Sequence, residues 1–208
     1  MVEEAIRREM QARALADQAI VLRALQKPDE LQQLVEFLDG RDLRNVLEIG
    51  TCHGGTLWLW CQLAHPFAQI VSVDLPGGPY GGGYPTEAVP KFLSYGKDHQ
   101  WIQLFQGDSH AEKTLKAVKG FLAGRKLDLL FIDGDHTYQG VKRDWETYSP
   151  LVREGGIVVF HDIVEHFHLP DCRVDLLWNE LKQTRRHEEF IGVEDGLSWG
   201  GIGVIHIG

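Results

Sequence analysis

The segment from Val46 to Trp60 constrains the fold of this chain more than any other part of the sequence. It reads VLEIGTCHGGTLWLW: an apolar run with one acid, then a glycine-containing loop, then a second apolar stretch. A strand that turns tightly into a helix N-terminus is typical of folds that bind nucleotide-like ligands. Gly50 and Gly54 let a ligand approach the backbone closely, and Glu48 is placed to accept hydrogen bonds or to balance a cationic group. The spacing Glu-x-Gly-x-x-x-Gly differs from the Gly-x-Gly-x-x-Gly of dinucleotide-binding enzymes.

Short apolar runs alternate with helical stretches through the middle of the chain. The predicted strands are Val46–Ile49, Ile70–Val73, Ile102–Phe105, Leu127–Ile132 and Ile157–Phe160. The predicted helices between them lie near Leu57–Leu63, Glu87–Tyr95, His110–Leu122 and Tyr138–Leu151. Ser109 and Glu112 have the spacing of a capping box for the third of these helices. This alternation favours a parallel sheet covered by helices on both faces.

The C-terminal part of the sequence breaks this alternation. After a helical stretch over Val174–Gln183, two more strand candidates, Glu189–Val193 and Ile202–Ile207, are joined by a glycine-rich link with no room for a helix. Two strands joined in this way should pair antiparallel. We therefore predict an α/β fold of the Rossmann-like, doubly wound class, with a mostly parallel seven-stranded sheet that ends in an antiparallel hairpin.

Two helices are predicted before the first strand. The first covers about Glu3–Gln26, and the second begins at Pro28, with acids in its first turn, and ends at Gly40. The alternating core is complete without the first helix. We therefore divide the chain into an accessory helix, residues 1–28, and a ligand-binding domain, residues 29–208. We expect the helix either to contact a second copy in a homodimer or to cover the substrate.

Composition excludes several classes of protein. The 208 residues carry a net charge of −9, which argues against nucleic acid as a partner. The three cysteines are too few and too scattered for a disulfide framework or a Cys-x-x-Cys zinc site. The charged N-terminus has no signal-peptide core, and no apolar stretch approaches membrane-spanning length. We expect a cytoplasmic protein with a small-molecule partner and no membrane partner.

Every predicted strand of the parallel sheet ends in polar residues or is followed by them. They are Glu48, Asp74, the Asp108-Ser109 pair, the Asp133-Gly134-Asp135-His136 run and the His161-Asp162 pair. In doubly wound sheets, ligands bind outside the carboxyl ends of the strands, where these residues would meet. At such an edge Asp74 is suited to both hydroxyls of a ribose, and Asp108 and Ser109 are suited to an adenine edge.

Over residues 30–208 these motifs resemble the class I S-adenosylmethionine-dependent methyltransferases. FIDGDHTY at 131–138 and GGIVVFHDI at 155–163 look like a branch of small O-methyltransferases, similar to macrolide-sugar O-methyltransferases and to cephalosporin hydroxylase-like proteins. The resemblance makes 29–208 the methyltransferase domain and S-adenosylmethionine (SAM) the cofactor. It places Glu48, Gly50 and Gly54 near the methionine end of SAM. The implied cofactor-binding set is Glu48, Gly50, Thr51, Gly54, Asp74, Asp108, Ser109 and Asp133.

The resemblance also implies a divalent metal held by Asp133, His161 and Asp162. Oxygen-rich sites suit Mg²⁺ or Mn²⁺. His161 stands where many relatives have an acid, and because imidazole also suits Fe²⁺, that ion is a less favoured alternative. Catechol-type relatives carry a lysine base where this chain has His136. The catalytic base is therefore predicted to be either His136 or Asp135.

The leading hypothesis is a metal-dependent O-methyltransferase that acts on a small hydroxylated molecule. Two alternatives stay open: a hydroxylase-like metal enzyme on the same fold, and a non-catalytic protein that binds SAM. A nicotinamide dehydrogenase is least favoured, because of the motif spacing and the terminal hairpin. The glycine-rich segment 77–85 is either a loop that closes over substrate or a plain connection. His166 and His168 are interpreted as the solvated lip of a loop rather than as a second metal site.

Overall fold

The computed structural model of the protein describes residues 2–194 and 197–208, which form one seven-stranded sheet with helices on both faces. The helices are α1 Val2–Val21, α2 Pro28–Leu38, α3 Gly55–Leu63, α4 Val89–Leu93, α5 Glu112–Leu122, α6 Tyr138–Tyr148 and α7 Val174–Leu181. The strands are β1 Asn45–Ile49, β2 Gln69–Asp74, β3 Trp101–Gln106, β4 Leu127–Ile132, β5 Val152–Val164, β6 His187–Phe190, β7 Val193–Glu194, β8 Leu197–Ser198 and β9 Gly200–His206. None of the helices in this part of the chain is both long and apolar enough to cross a membrane.

The strand order of the main sheet is β3-β2-β1-β4-β5-β9-β6. All neighbouring strands are parallel except at β9, which runs antiparallel to both β5 and β6. The predicted fold class is therefore confirmed, including the terminal hairpin, in which Glu189 pairs with Gly203. Within the link, β7 and β8 form a separate two-stranded ladder. Asp195 and Gly196 lie outside the described residues.

The last parallel strand is longer than predicted, and it ends irregularly. β5 continues past Phe160 to Val164, and its pairing with β9 shifts register between His161 and Val164. Asp162 has φ +61°, a left-handed conformation that non-glycine residues adopt rarely. This irregularity lies where the polar residues of β5 meet those of β4.

The core lies on both faces of the sheet, and all six residues of β4 are buried. Helices α1, α2 and α3 cover one face, where Leu34, Trp60 and Phe131 are fully buried. Helices α5, α6 and α7 cover the other face around Tyr148 and Trp178. Continuous apolar strands are expected of a parallel sheet that is covered on both sides.

Helix α1 packs into the same core as α2 and α3. Ala12, Ala16 and Ala19 are buried on its inner face, while Ile6 and Met10 are exposed. The chain just after its C-terminal end lies so close to α3 that a Cβ on Gly55 would stand 2.3 Å from the backbone nitrogen of Ala24. The chain thus shows no packing gap at residue 28, and the accessory role given to residues 1–28 stays a prediction.

The two predicted helix starts have different outcomes. Helix α2 begins at Pro28 as expected, and its Glu30 carboxylate accepts a hydrogen bond from the Lys27 backbone N–H at 2.9 Å. The capping box at Ser109 is wrong, because α5 begins at Glu112 with Ala111 as its N-cap. The turn at Ser109 is held instead by its carbonyl, which accepts from the Tyr148 hydroxyl at 2.7 Å.

Candidate active site

Two adjoining cavities open at the carboxyl ends of the parallel strands. The first has a volume of about 500 Å³ and the second about 950 Å³. Gly50, Pro79 and Tyr80 line both cavities, so the two form one continuous cleft over the glycine loop that follows β1. Of the predicted strand-end residues, all except Glu48 line this cleft.

The first cavity is lined by Asp74, Asp108, Ser109 and Asp135. The Asp74 carboxylate accepts from the Cys52 backbone N–H at 2.8 Å, which fixes it at the mouth of the glycine loop. Burial raises the pKa of Asp74 despite that hydrogen bond. Asp108 is half exposed and accepts from the His110 backbone N–H at 2.8 Å.

His110 also lines the first cavity, although no sequence motif marks it as a site residue. Its Nε2 lies 3.2 Å from the Gly140 carbonyl oxygen and 3.3 Å from the buried Asp144 carboxylate. The hydrogen bond with Asp144 raises the pKa of His110 above its ordinary value. No local pattern could reveal this contact, because the partner lies on α6.

The glycines of the loop serve different purposes. Gly50 has φ +97°, and a Cβ there would lie 2.0 Å from the Asp133 carbonyl oxygen, so only glycine fits between β1 and β4. Gly54 caps α3 with φ +83°, and a Cβ there would lie 2.5 Å from the Phe92 ring. Gly54 thus faces a packed ring rather than the cleft. Thr51 lines the second cavity and contacts the Ser72 hydroxyl.

Glu48 lies beneath the glycine loop and is fully buried. Its carboxylate accepts hydrogen bonds from Thr56 at 2.6 Å, from the Trp60 indole at 2.9 Å and from the Ser72 hydroxyl. Burial raises the pKa of Glu48 to about 7, although these three hydrogen bonds favour the charged form. Glu48 lines neither cavity, so direct contact with a ligand, as expected from the sequence, is not supported by this geometry.

A cluster of carboxylates and imidazoles lies at one wall of the second cavity, which all of its members except the buried Glu30 line. We call it the acid–histidine cluster and define it as Glu30, Asp133, His136, His161, Asp162 and His166. Asp162 contacts His136 Nδ1 through one carboxylate oxygen and His166 Nε2 through the other, both at 2.7 Å. His166, expected on a solvated lip, therefore points into the cleft instead.

His161 lies among three acids. Its Nε2 is 3.1 Å from Glu30 Oε1, and its Nδ1 is 3.2 Å from Asp133 Oδ1 and 3.5 Å from Asp162. Asp133 and Asp162 lie close together, and histidines contact both of them. These histidines are His136 in the loop after β4, His161 near the end of β5 and His166 just after β5.

These contacts favour the protonated forms of His136 and His161. Burial disfavours the charged form of His136, but hydrogen bonds and the charges of Asp162 and Asp133 outweigh it and raise its pKa to about 10. The same balance, with Asp162 and Asp133 as the main charges, raises the pKa of His161 well above its ordinary value. Burial would raise the pKa of Asp162, yet the neighbouring histidines hold it well below the usual range.

The geometry separates the two candidate bases. The Asp135 carboxylate accepts from the backbone N–H of Thr137 at 2.9 Å and from its hydroxyl at 2.8 Å, which makes it a turn residue before α6. Asp135 lines the first cavity, whereas His136 lines the second. The Tyr80 ring stacks on His136, with centroids 4.6 Å apart and planes 13° from parallel. The glycine-rich segment therefore lies across the cleft.

The residues present fit a divalent cation. Asp133, His161 and Asp162 each offer a ligand atom, and these three atoms lie within 4.8 Å of one another. Two carboxylates and one imidazole form a donor set that accepts Mg²⁺, Mn²⁺ or Fe²⁺. His136, Asp162 and Cys172 form a second group at the same spacing, which shares Asp162 with the first.

Comparison with known proteins places this cleft in a family. The sequence profile of the family described as "Methyltransferase domain" matches residues 47–163, more than half of the chain. Protein R132 of Acanthamoeba polyphaga mimivirus is 30% identical over 136 residues, which are 65% of this chain and 58% of R132. The chain therefore spans less than two thirds of this relative's length.

Two solved structures share the fold. The O-methyltransferase TomG from Streptomyces achromogenes, in complex with SAM, has a TM-score of 0.64 at 19% identity, with 95% of this chain and 90% of TomG covered. MycE from the mycinamycin biosynthetic pathway, in complex with Mg and S-adenosylhomocysteine (SAH), has a TM-score of 0.58 at 16% identity, with 95% of this chain and 54% of MycE covered. At these identities the likeness shows the fold. With the family match over β1 to β5, the chain belongs to the methyltransferase-domain family, as the resemblance of its motifs implied.

Proposed function

We propose that this protein transfers the methyl group of SAM to a hydroxyl group of a small molecule, with a divalent cation in the acid–histidine cluster. The proposal rests on the two-part cleft, in which Asp74 lines the cavity on one side of Gly50 and His136 lines the cavity on the other. One cavity thus suits a nucleoside, and the other suits an acceptor next to a base.

The first cavity is the proposed nucleoside site. Asp74 offers carboxylate oxygens to both ribose hydroxyls, and Asp108 and Ser109 lie at the far wall, where the adenine would sit. Gly50 and Thr51 line the passage into the second cavity, where the methionine part of SAM would lie. Glu48 would support the loop from below rather than contact the cofactor.

His136 is the proposed base. Its Nδ1 donates to Asp162, so Nε2 is the nitrogen available to an acceptor hydroxyl in the second cavity. In the reaction the hydroxyl oxygen bonds to the methyl carbon as the carbon–sulfur bond breaks, which leaves SAH. The hydroxyl proton passes to His136 Nε2, and Asp162 stabilises the resulting imidazolium.

Asp133, His161 and Asp162 are the proposed ligands of the cation. When bound, it would hold acceptor oxygens, lower the pKa of the acceptor hydroxyl and engage the carboxylates that otherwise keep His136 protonated. Tyr80, stacked on His136, covers the base from solvent. The Mg bound in MycE supports this proposal by analogy of fold.

Calorimetric titration of the purified protein tests the cofactor site. We expect SAM and SAH to bind at micromolar concentrations and NAD not to bind. Asp74→Ala should weaken SAH binding by about 1–3 kcal/mol, the usual value for a hydrogen bond to a charged group. Asp98→Ala, at an exposed acid outside both cavities, is the matched control. Tight NAD binding without any response to SAH would overturn the assignment.

A further inference from the structure

We propose that residues 26–30, the connection that leads into α2, form the outer part of the metal site. In this proposal, which rests on the proposed function, Glu30 and Gln26 are positioning residues that orient His161 and Asp133. The sequence divides the chain near this connection, whereas its side chains reach β4 and β5 across 107 and 131 residues.

Glu30 fixes the orientation and the proton of His161. It is fully buried, and its carboxylate accepts from the Lys27 N–H and from the Gly201 N–H, each at 2.9 Å. Since Glu30 lies 3.1 Å from His161 Nε2, that nitrogen is held as a donor. The lone pair of a singly protonated His161 would then lie on Nδ1, which faces Asp133 and Asp162.

Gln26 fixes the orientation of the Asp133 carboxylate. Its Nε2 donates to Asp133 Oδ2 at 2.7 Å, and Gln26 itself is 5% exposed. Asp133 Oδ1 is the oxygen on the side of His161. The amide of Gln26 therefore occupies one oxygen of the Asp133 carboxylate, and the other oxygen is directed at the acid–histidine cluster.

The connection is also anchored outside the cluster. Lys27 Nζ donates to the Gly192 carbonyl oxygen at 3.1 Å and lies 4.3 Å from the centre of the Trp199 ring. The connection is thus held between the hairpin link and the strand ends. A cation that binds Asp133 and His161 would stabilise this docked arrangement, because these two side chains would bind the cation and also contact residues 26–30.

Outer partners of a ligating histidine or carboxylate typically change metal affinity by about 10–100-fold when they are removed. The test is a Mn²⁺ titration followed by electron paramagnetic resonance of the free ion. We expect Glu30→Gln and Gln26→Leu each to weaken Mn²⁺ binding by about that factor. Glu36→Gln, at an exposed acid on the same helix, is the control and should bind as the wild type does.

Two further measurements separate positioning from a purely structural role. Affinity for SAH should be unchanged in Glu30→Gln, since Glu30 lines neither cavity. Mn²⁺ should slow hydrogen exchange of the backbone amides of residues 22–31 in the wild type, which needs no variant to fold. Wild-type protein that binds no Mn²⁺ would overturn the metal-dependent function itself. Wild-type binding with unchanged affinity in both variants, or with no protection of residues 22–31, would overturn this inference alone.

Discussion

Glu48 lies beneath the loop that the sequence marks as the ligand site, and its carboxylate is shared among three side-chain donors. An acid at the end of a strand can either contact a ligand or support the loop from inside, and the two roles have the same sequence pattern. The full burial of Glu48 favours support. The cost of that burial is visible in its pKa, which is raised to about 7.

Glu48→Gln should therefore change how stability depends on pH. The folded-state pKa of Glu48 is about 7 against an ordinary value of 4.5, so the folded protein binds the proton more tightly than the unfolded chain. Wild-type stability then falls, through this residue, as pH rises from about 4.5 to about 7. The unfolding temperature of the variant, relative to wild type, should rise across that window, with SAH affinity little changed.

Thermal unfolding at several pH values, with SAH titrations alongside, checks this prediction. The account of Glu48 would be contradicted by a variant that follows the wild type at every pH and yet loses most of its SAH affinity. That pattern would restore Glu48 as a direct contact of the cofactor.

At the scale of elements, the glycine-rich segment between β2 and α4 has a defined place in the structure. Gly77, Gly81 and Gly82 adopt positive φ, and the segment places Tyr80 on the ring of His136. The sequence left open whether this segment covers the site or only connects two elements. Its position across both cavities favours the covering role.

Tyr80→Ala should impair the acceptor half of the reaction more than cofactor binding. Loss of a stacked aromatic contact of this kind costs about 0.5–1.5 kcal/mol, so the acceptor KM should rise by up to about tenfold or kcat should fall by a similar factor. Tyr80→Phe keeps the ring and is the matched control. Steady-state kinetics test this prediction. Identical KM and kcat values for the alanine variant, the phenylalanine variant and the wild type would show that the segment only connects β2 and α4.

At the scale of the whole molecule, the sheet could be predicted because its strands are short, apolar and regularly spaced. The runs at Val46–Ile49 and Leu127–Ile132 lie at the predicted positions, and the glycine-rich link marked the hairpin. β5 was predicted too short because nothing local marks the register shift at Asp162. Helix starts were harder to predict than strands. Ser109 has the spacing of a capping residue, but Ala111 is the N-cap of α5 and the Ser109 carbonyl bonds to Tyr148.

The site was predictable only in part. Asp74, Asp133 and Asp162 follow strands of a parallel sheet, so topology alone brings them to one edge. Glu30 and Gln26 were missed as site residues because their roles depend on packing between distant elements. His166 contacts Asp162 only four residues away, but the irregular end of β5 that directs it into the cleft has no local sequence signal. Asp133 and Asp162 both contact histidines, so two neighbouring acids do not by themselves mark a metal site.

The central claim is that methyl transfer depends on a cation at Asp133, His161 and Asp162. The most direct measurement follows methyl-labelled SAM incubated with the protein and the small-molecule fraction of a cell extract, with and without a chelator. Label should reach a small-molecule product only when Mg²⁺ or Mn²⁺ is present, and Asp162→Asn should abolish transfer while SAH binding persists. His136→Ala should keep Mn²⁺ binding and slow transfer by roughly 10²–10⁴-fold, the range for a lost general base. Full transfer in excess chelator would contradict the account and leave the acids as partners of the histidines only.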